Sequence, residues 1–152
     1  VRLPDPADAS PATPAAGEPV PPEVADCVAL LRAYFAGEIV DFRAIPLDQT
    51  GLSALEAAIY AALRAVGRGE TTTYGDLAAR AGQPGAARAV GVAMARNRWP
   101  IVVPCHRVLA SDGSLGGFSA PGGVKTKRRL LRLEGVDLDR GMPALPGLFD
   151  DD

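Results

Sequence analysis

The sequence predicts a mainly α-helical fold with one short β element and a helix-turn-helix near its centre. Five short stretches carry apolar residues at helical spacing. Two of these stretches are separated only by a Gly-Gln-Pro-Gly turn at residues 82–85, and the one run with strand character, residues 101–103, is short. With 152 residues and 47% hydrophobic content, the chain builds one ordinary core.

Two amphipathic helices are predicted ahead of the helix-turn-helix. Residues 23–36 place apolar side chains on one helical face and stop at Gly37, a residue suited to a helix C-cap. Ser53 and Glu56 have capping-box spacing at the start of the second helix, which ends at Gly67.

The helix-turn-helix is predicted at residues 74–81 and 86–95. Its second helix is rich in alanine and glycine, with Arg88 projecting from it. A surface of such small residues suits a close approach to a nucleic-acid groove. The alternative is a small-residue helix packed against a neighbouring helix.

The last third of the chain predicts four further elements. Residues 101–103 form a short buried strand, residues 112–113 a turn and residues 116–123 a glycine-rich loop. A final helix covers residues 125–133 and is closed by Glu134 and Gly135. The loop lacks the glycine spacing of nucleotide-phosphate loops, so the sequence predicts no cofactor.

Composition predicts the organisation of the chain and its cellular compartment. No apolar run approaches the roughly 20 residues that span a bilayer, and no signal-peptide pattern is present, which predicts a cytoplasmic protein that does not enter membranes. Cys27 and Cys105 lie in dissimilar contexts, so we expect neither a disulfide nor a metal site. Four segments are expected: a disordered Pro/Ala-rich lead (1–22), a helix and connector (23–50), the main domain (51–137) and an acidic tail (138–152).

Charge is distributed unevenly along the chain. The formal net charge is −2, yet the stretch from Arg64 to Arg132 holds 12 basic and three acidic residues. A middle segment this basic indicates a surface for a polyanion, and a merely solvated basic face is the alternative.

Cys105 stands directly beside His106, the only histidine, and Arg107 follows. A free thiol is only a few per cent thiolate at neutral pH, so a neighbouring base or cation that lowers its pKa produces a nucleophile. The alternative is a buried, inert cysteine beside a surface histidine.

Several motifs together resemble the O6-alkylguanine-DNA alkyltransferases, also called methylated-DNA protein-cysteine methyltransferases. The resemblance covers about residues 30–135. The residues that carry it are Tyr34-Phe35-Ala36-Gly37, Pro46-Leu47-Asp48, Tyr74, Gly82-Gln83-Pro84, Ala87-Arg88-Ala89-Val90-Gly91, Asn97, Pro104-Cys105-His106-Arg107-Val108 and Glu134-Gly135. It implies a winged-helix-like alkyltransferase domain at residues 51–137.

The resemblance also implies a mechanism. Cys105 takes the alkyl group from guanine O6 in one irreversible transfer, His106 acts on it through a water, and Glu134 orients His106. Asn97 helps to fix the site. Tyr74 supports rotation of the target nucleotide and protonates the leaving guanine.

The implied partner is double-stranded DNA with an alkylated guanine, bound by a monomer without cofactor or metal. Arg88 fills the space that the extruded base leaves in the stack. The small residue Ala87 permits close approach to the minor groove. The remaining substrate-binding and DNA-binding residues are Ser119 on the base edge, Met94 and Phe118 as pocket walls, and Arg107, Lys125 and Arg128 near the phosphates.

The chain departs from the family pattern in three places. Phe118 stands where many members carry tyrosine, in a loop two residues longer around Ala120-Pro121. Residues 53–56 replace the usual aromatic-Gln start of the first helix. The family's N-terminal α/β domain is expected to be absent or truncated. Two other classes stay open, namely a helix-turn-helix binder of alkylated DNA with an idle cysteine and a small-molecule cysteine hydrolase.

Overall fold

A computed structural model describes Gly17 and residues 19–138, and within them the predicted mainly α-helical fold with a short β element is confirmed. A two-stranded parallel sheet pairs Thr72 with Val108 and Thr73 with Leu109. Most of the predicted lead and acidic tail lies outside the described residues. The elements are α1 (Pro22–Phe35), α2 (Ala54–Arg64), β1 (Thr72–Thr73), α3 (Tyr74–Arg80), α4 (Ala87–Ala95), a 3₁₀ turn (Cys105–Arg107), β2 (Val108–Leu109) and α5 (Gly123–Leu133).

Helix α2 begins where the sequence places its capping box. The Ser53 hydroxyl accepts a hydrogen bond from the Glu56 backbone N–H at 3.1 Å, and the Glu56 carboxylate accepts one from the Ser53 backbone N–H at 2.9 Å. These bonds satisfy two amide groups that helix starts leave unpaired. The helix ends at Arg64, three residues before Gly67.

The two helices of the predicted helix-turn-helix, α3 and α4, are present. Thr73 caps α3 by accepting a hydrogen bond from the Asp76 backbone N–H at 3.1 Å. Leu77 of α3 and Val90 of α4 are fully buried in the same cluster. Ala87 and Ala89, in the first turn of α4, are half-buried, and Arg88 between them is exposed.

The predicted strand at residues 101–103 is wrong. Ile101 has a φ of 73°, in the left-handed region, and the chain turns there so that the Val103 N–H donates to the Trp99 carbonyl at 2.8 Å. Pro100 and Pro104 flank the run and have no N–H to donate to a sheet, so an apolar run between them forms a buried turn instead. Only a single bridge pairs Pro100 with Val103.

Two buried clusters adjoin just before the 3₁₀ turn, where Val102 belongs to one and Val103 to the other. The larger cluster lies among α2, α3 and α4 and includes Cys105. The smaller one packs Tyr34 of α1 and Leu130 of α5 with Phe42 and Val102. The 3₁₀ turn therefore stands between the helix-turn-helix on one side and the α1–α5 pair on the other.

Candidate active site

Cys105 lies at the wall of a cavity of about 340 Å³. It is the first residue of the 3₁₀ turn, and 8% of its surface is exposed. The cavity is formed between α3, α4 and the glycine-rich loop, and is lined by Tyr74, Gly91, Met94, Ala95, Cys105, Gly117, Phe118 and Ser119. A buried thiol therefore faces a space of the size that small-molecule sites have.

The Glu134 carboxylate forms four hydrogen bonds, one of them with His106, the residue after Cys105. Its Oε1 accepts from Tyr34 Oη at 2.7 Å and from Arg107 Nη2 at 2.9 Å, and it meets His106 Nε2 at 2.7 Å. Its Oε2 accepts from Arg107 Nε at 2.9 Å. Burial raises the pKa of Glu134, but the bonds from His106, Arg107 and Tyr34 outweigh burial and lower that pKa to about 2. The carboxylate is therefore an acceptor at neutral pH.

The hydrogen-bond network assigns the tautomer of His106. Because ionised Glu134 only accepts, Nε2 of His106 carries the proton. Nδ1 is buried and has no hydrogen-bond partner among the described protein groups. Burial lowers the pKa of His106, against the Glu134 bond, which raises it. His106 is thus held neutral with a basic nitrogen available.

Asn97 is fixed beside the thiol by two backbone contacts. Its Nδ2 donates to the Val103 carbonyl at 2.9 Å, and its Oδ1 accepts from the Trp99 N–H at 2.9 Å. Burial raises the pKa of Cys105, while a hydrogen bond from Asn97 and the charge of Lys127 lower it. These two groups favour the thiolate in a site that otherwise disfavours charge.

Lys127 is a site residue that sequence reasoning missed. It is fully buried on α5, and Nζ donates to the Val108 carbonyl at 2.5 Å and lies 6.0 Å from the centre of the Phe118 ring. Burial lowers its pKa to about 8, against the attraction of the Cys105 thiolate. A signal was available, because Lys127 shares a helical face with Leu130, Leu131 and Glu134.

Tyr74 forms another wall of the cavity at the start of α3. Its Oη lies beside Gly116, where an added Cβ would stand 3.7 Å from that oxygen. Burial and then the nearby Cys105 raise the pKa of Tyr74, so its phenol keeps its proton. Met94 and Phe118, for which the resemblance implies a role as pocket walls, line the cavity together with the exposed Ser119.

Arg107 is placed differently from the prediction that it contacts DNA. Its side chain is 11% exposed and holds Glu134, and Nη1 donates to the Val66 carbonyl at 2.5 Å. The donors of this guanidinium are thus used for hydrogen bonds inside the protein. Of the other predicted DNA contacts, Arg88 and Lys125 are exposed, and Ala87 and Arg128 are half-buried.

Tyr34 is the second site residue that sequence reasoning missed, although it lies in a motif of the family resemblance. Its hydroxyl contacts Glu134 across 100 residues of chain, a distance that local patterns do not report. Cys27 and Cys105 are both free thiols. Within the described part of the chain, no group of three or more metal-binding side chains is present, and no helix is long and apolar enough to cross a membrane.

Comparison with known proteins identifies the class of this domain. Residues 54–136 match the family model described as 6-O-methylguanine DNA methyltransferase, DNA binding domain. A methylated-DNA–protein-cysteine methyltransferase of Mycolicibacterium paratuberculosis is 45% identical over 130 residues, which cover 86% of this chain and 74% of that protein. The Mycobacterium leprae protein of the same name is 47% identical over 110 residues, or 72% of this chain and 64% of that protein.

A solved structure supports the same assignment. The crystal structure of a Mycobacterium tuberculosis relative in complex with DNA superimposes with a TM-score of 0.66 at 44% identity, covering 72% of this chain and 66% of that one. The fold and the site thus define a mainly helical domain with a helix-turn-helix and a buried cysteine next to a hydrogen-bonded histidine–glutamate pair. The chain belongs to the 6-O-methylguanine DNA methyltransferase family.

Proposed function

We propose that this chain repairs O6-alkylguanine in duplex DNA by transferring the alkyl group irreversibly to Cys105. The observation that carries the proposal is a buried thiol at a cavity wall, followed in the same 3₁₀ turn by His106, which is hydrogen-bonded to Glu134. The family assignment supports the same activity and disfavours a small-molecule hydrolase. The presence of Cys105 itself disfavours a binder without chemistry.

The proposed transfer needs one proton acceptor and one proton donor. Nδ1 of His106 takes the Cys105 proton through a bridging water, and the thiolate attacks the alkyl carbon. A carbon–sulfur bond forms as the bond between that carbon and guanine O6 breaks. The guanine leaves with the electron pair and is protonated by Tyr74, whose raised pKa keeps its proton available. The carbon–sulfur bond of the thioether product is not cleaved by a neutral base such as His106, so the alkyl group stays on Cys105 and each protein acts once.

The cavity is reached only by a base that has left the duplex. Guanine O6 lies within the base stack, and extrusion costs a few kcal/mol. We infer that α4 approaches the minor groove through Ala87 and that Arg88 fills the emptied position. Ser119 then contacts the edge of the base, while Lys125 and Arg128 add phosphate attraction that weakens with salt. We further propose that the protein acts as a monomer in the cytoplasm.

The proposal is tested by peptide mass spectrometry after incubation with a duplex that carries one O6-methylguanine. We expect one methyl group on the Cys105 peptide per protein molecule and none on the Cys27 peptide, which serves as an internal control. Cys105→Ser should bind the duplex and remain unmethylated. An unmodified Cys105 in folded protein bound to the duplex would overturn the proposal in favour of a binding module.

The Arg88→Ala variant is expected to repair duplex substrate about tenfold to a hundredfold more slowly, because nothing then offsets the cost of extruding the base. In single-stranded DNA the target base does not have to be extruded from a duplex. The repair rate of the variant should therefore fall much less on single-stranded DNA than on duplex DNA. Single-turnover rates on both substrates measure the difference, and iodoacetamide labelling of Cys105 checks that the thiol is unchanged. Equal losses on both substrates would mean that Arg88 contributes only its charge.

A further inference from the structure

The hydroxyl of Tyr34 reaches the acceptor oxygen that also contacts His106. Its Oη donates to Glu134 Oε1 at 2.7 Å, and the same oxygen lies 2.7 Å from His106 Nε2. Tyr34 belongs to α1, which lies outside residues 54–136 of the family match. The hydrogen-bond network behind Cys105 therefore extends into a helix outside the matched domain.

The Tyr34 ring is held rigidly enough to aim this hydroxyl. Only 1% of the residue is exposed, and its ring packs edge-on against Phe35 at 5.3 Å and Phe42 at 5.8 Å. The Arg68 guanidinium carbon lies 5.9 Å from the ring centre. Arg68 also donates to the Leu133 carbonyl at 2.7 Å and to the Glu38 carbonyl at 2.9 Å. Arg68 thus links the end of α1 to the end of α5 next to the Tyr34–Glu134 hydrogen bond.

We propose that Tyr34 is a positioning residue for alkyl transfer, whose hydroxyl holds Glu134 Oε1 in place and limits how strongly that oxygen binds His106. The inference rests on the proposed function, since it concerns the proton acceptor of the same reaction. A carboxylate oxygen that receives several donors shares its negative charge among them. Tyr34 therefore competes with His106 for one acceptor, and α1 adjusts the basicity of the imidazole.

The direction of the effect follows from the groups that face His106. Glu134 and Lys127 face it from α5, Arg107 adjoins it on the 3₁₀ turn, and Tyr34 and Arg68 stand behind Glu134. The cations and burial oppose imidazolium, and only Glu134 favours it. Without the Tyr34 hydroxyl, Oε1 interacts more strongly with His106, so the pKa of His106 rises.

The test compares Tyr34→Phe with Tyr60→Phe as a function of pH. Tyr60 is a matched control, because it is equally buried and its hydroxyl donates to a backbone carbonyl, that of Ala93, at 2.8 Å. Single-turnover methyl transfer from O6-methylguanine duplex is measured across pH 5 to 9 (roughly the range over which histidine titrates). For Tyr34→Phe we expect the acid limb of the rate profile to move up by about 0.5–1 pH unit, with up to a tenfold loss below neutrality and little loss at alkaline pH.

A purely structural role gives a different result. Tyr60→Phe should lower the stability of the protein without moving the acid limb of its pH–rate profile. If the acid limb of Tyr34→Phe also stayed at the wild-type pH, the proposal would be overturned. Wild-type protein that transfers no methyl group at any pH would instead refute the proposed function. The NMR titration of His106, the only histidine in the chain, measures its pKa directly without DNA.

A second substitution keeps the proposal testable if Tyr34→Phe does not fold. Incorporating 3-fluorotyrosine at position 34 leaves the packing nearly unchanged and makes the phenol a stronger donor. The pKa of His106 should then fall, opposite in sign to the effect of Tyr34→Phe. An unchanged His106 titration in the fluorinated protein would contradict the proposed competition for Oε1.

Discussion

Glu134→Gln is expected to lose about 3 kcal/mol of its free energy of unfolding at neutral pH and at least a hundredfold in transfer rate. The side chain of Glu134 is fully buried, and its charge is balanced by Arg107, whose side chain is 11% exposed. The neutral amide leaves the Arg107 charge uncompensated. It also offers an N–H or a weaker acceptor to His106, which loses both its orientation and its tautomer.

The pH dependence of stability checks the same variant. The folded pKa of Glu134 is about 2, below its ordinary value of 4.5. Because this pKa is lowered, the carboxylate contributes its full stabilisation above about pH 4.5, and the contribution is lost as the pH falls towards 2. Urea unfolding should therefore show a fall in stability over this window that is larger in the wild type than in Glu134→Gln.

The exposed Glu38 provides the control for this experiment. Glu38→Gln should keep the wild-type stability, its fall at acid pH and the transfer rate. If Glu134→Gln were as stable as Glu38→Gln at neutral pH, the ion pair with Arg107 would contribute nothing, and the account of Glu134 as the organising group would fail.

Local patterns predicted the helices because their signals lie within a few residues of each other. The predicted Ser53–Glu56 capping box acts over three residues and is present. The structure adds a cap of the same span, in which Thr73 accepts from the Asp76 backbone N–H. The strands could not be found in this way. β1 and β2 are two residues each and pair across 36 positions, so the pairing of each strand is set by tertiary packing.

The chemistry of the site was predictable where the type of a residue by itself indicates its role. Cys105 and His106 stand out by their adjacency, yet the roles of Lys127 and Arg107 depend on which way each side chain turns. A positively charged residue is most often a surface residue, and both belong to the basic segment that was expected to face a polyanion or solvent. Helical phase on α5 places Lys127 inward, whereas nothing local distinguishes Arg107 from a phosphate contact.

Lys127→Met is expected to make the protein more stable and its thiol less reactive at neutral pH. Because its pKa is lowered by burial to about 8 from 10.5, Lys127 is charged at pH 7 at a cost to the folded state. The unfolded chain binds more protons between pH 8 and 10.5, so this group makes stability rise with pH across that window. Methionine removes both the destabilisation at pH 7 and the rise of stability with pH. We expect the free energy of unfolding at pH 7 to increase by about 1–3 kcal/mol, less the contribution of the lost hydrogen bond to the Val108 carbonyl.

The same charge stabilises the Cys105 thiolate, so its removal acts against the reaction. Without Lys127, burial is opposed by Asn97 and by backbone groups, and the pKa of Cys105 rises. The pH profile of iodoacetamide labelling should move up by about one unit, and methyl transfer at pH 7 should slow about tenfold. Lys125→Met, two residues earlier on the exposed face of α5, removes a charge and should leave the labelling profile unchanged.

Opposite changes in stability and reactivity distinguish a functional lysine from a structural one. A lysine kept only for its hydrogen bond to Val108 would lower stability when replaced and leave the thiol unaffected. A lysine that stabilises the thiolate destabilises the fold, yet the reaction requires it. If Lys127→Met were destabilised and labelled with the wild-type pH profile, the cation would have no part in activating Cys105, and Asn97 and His106 would have to account for the thiolate.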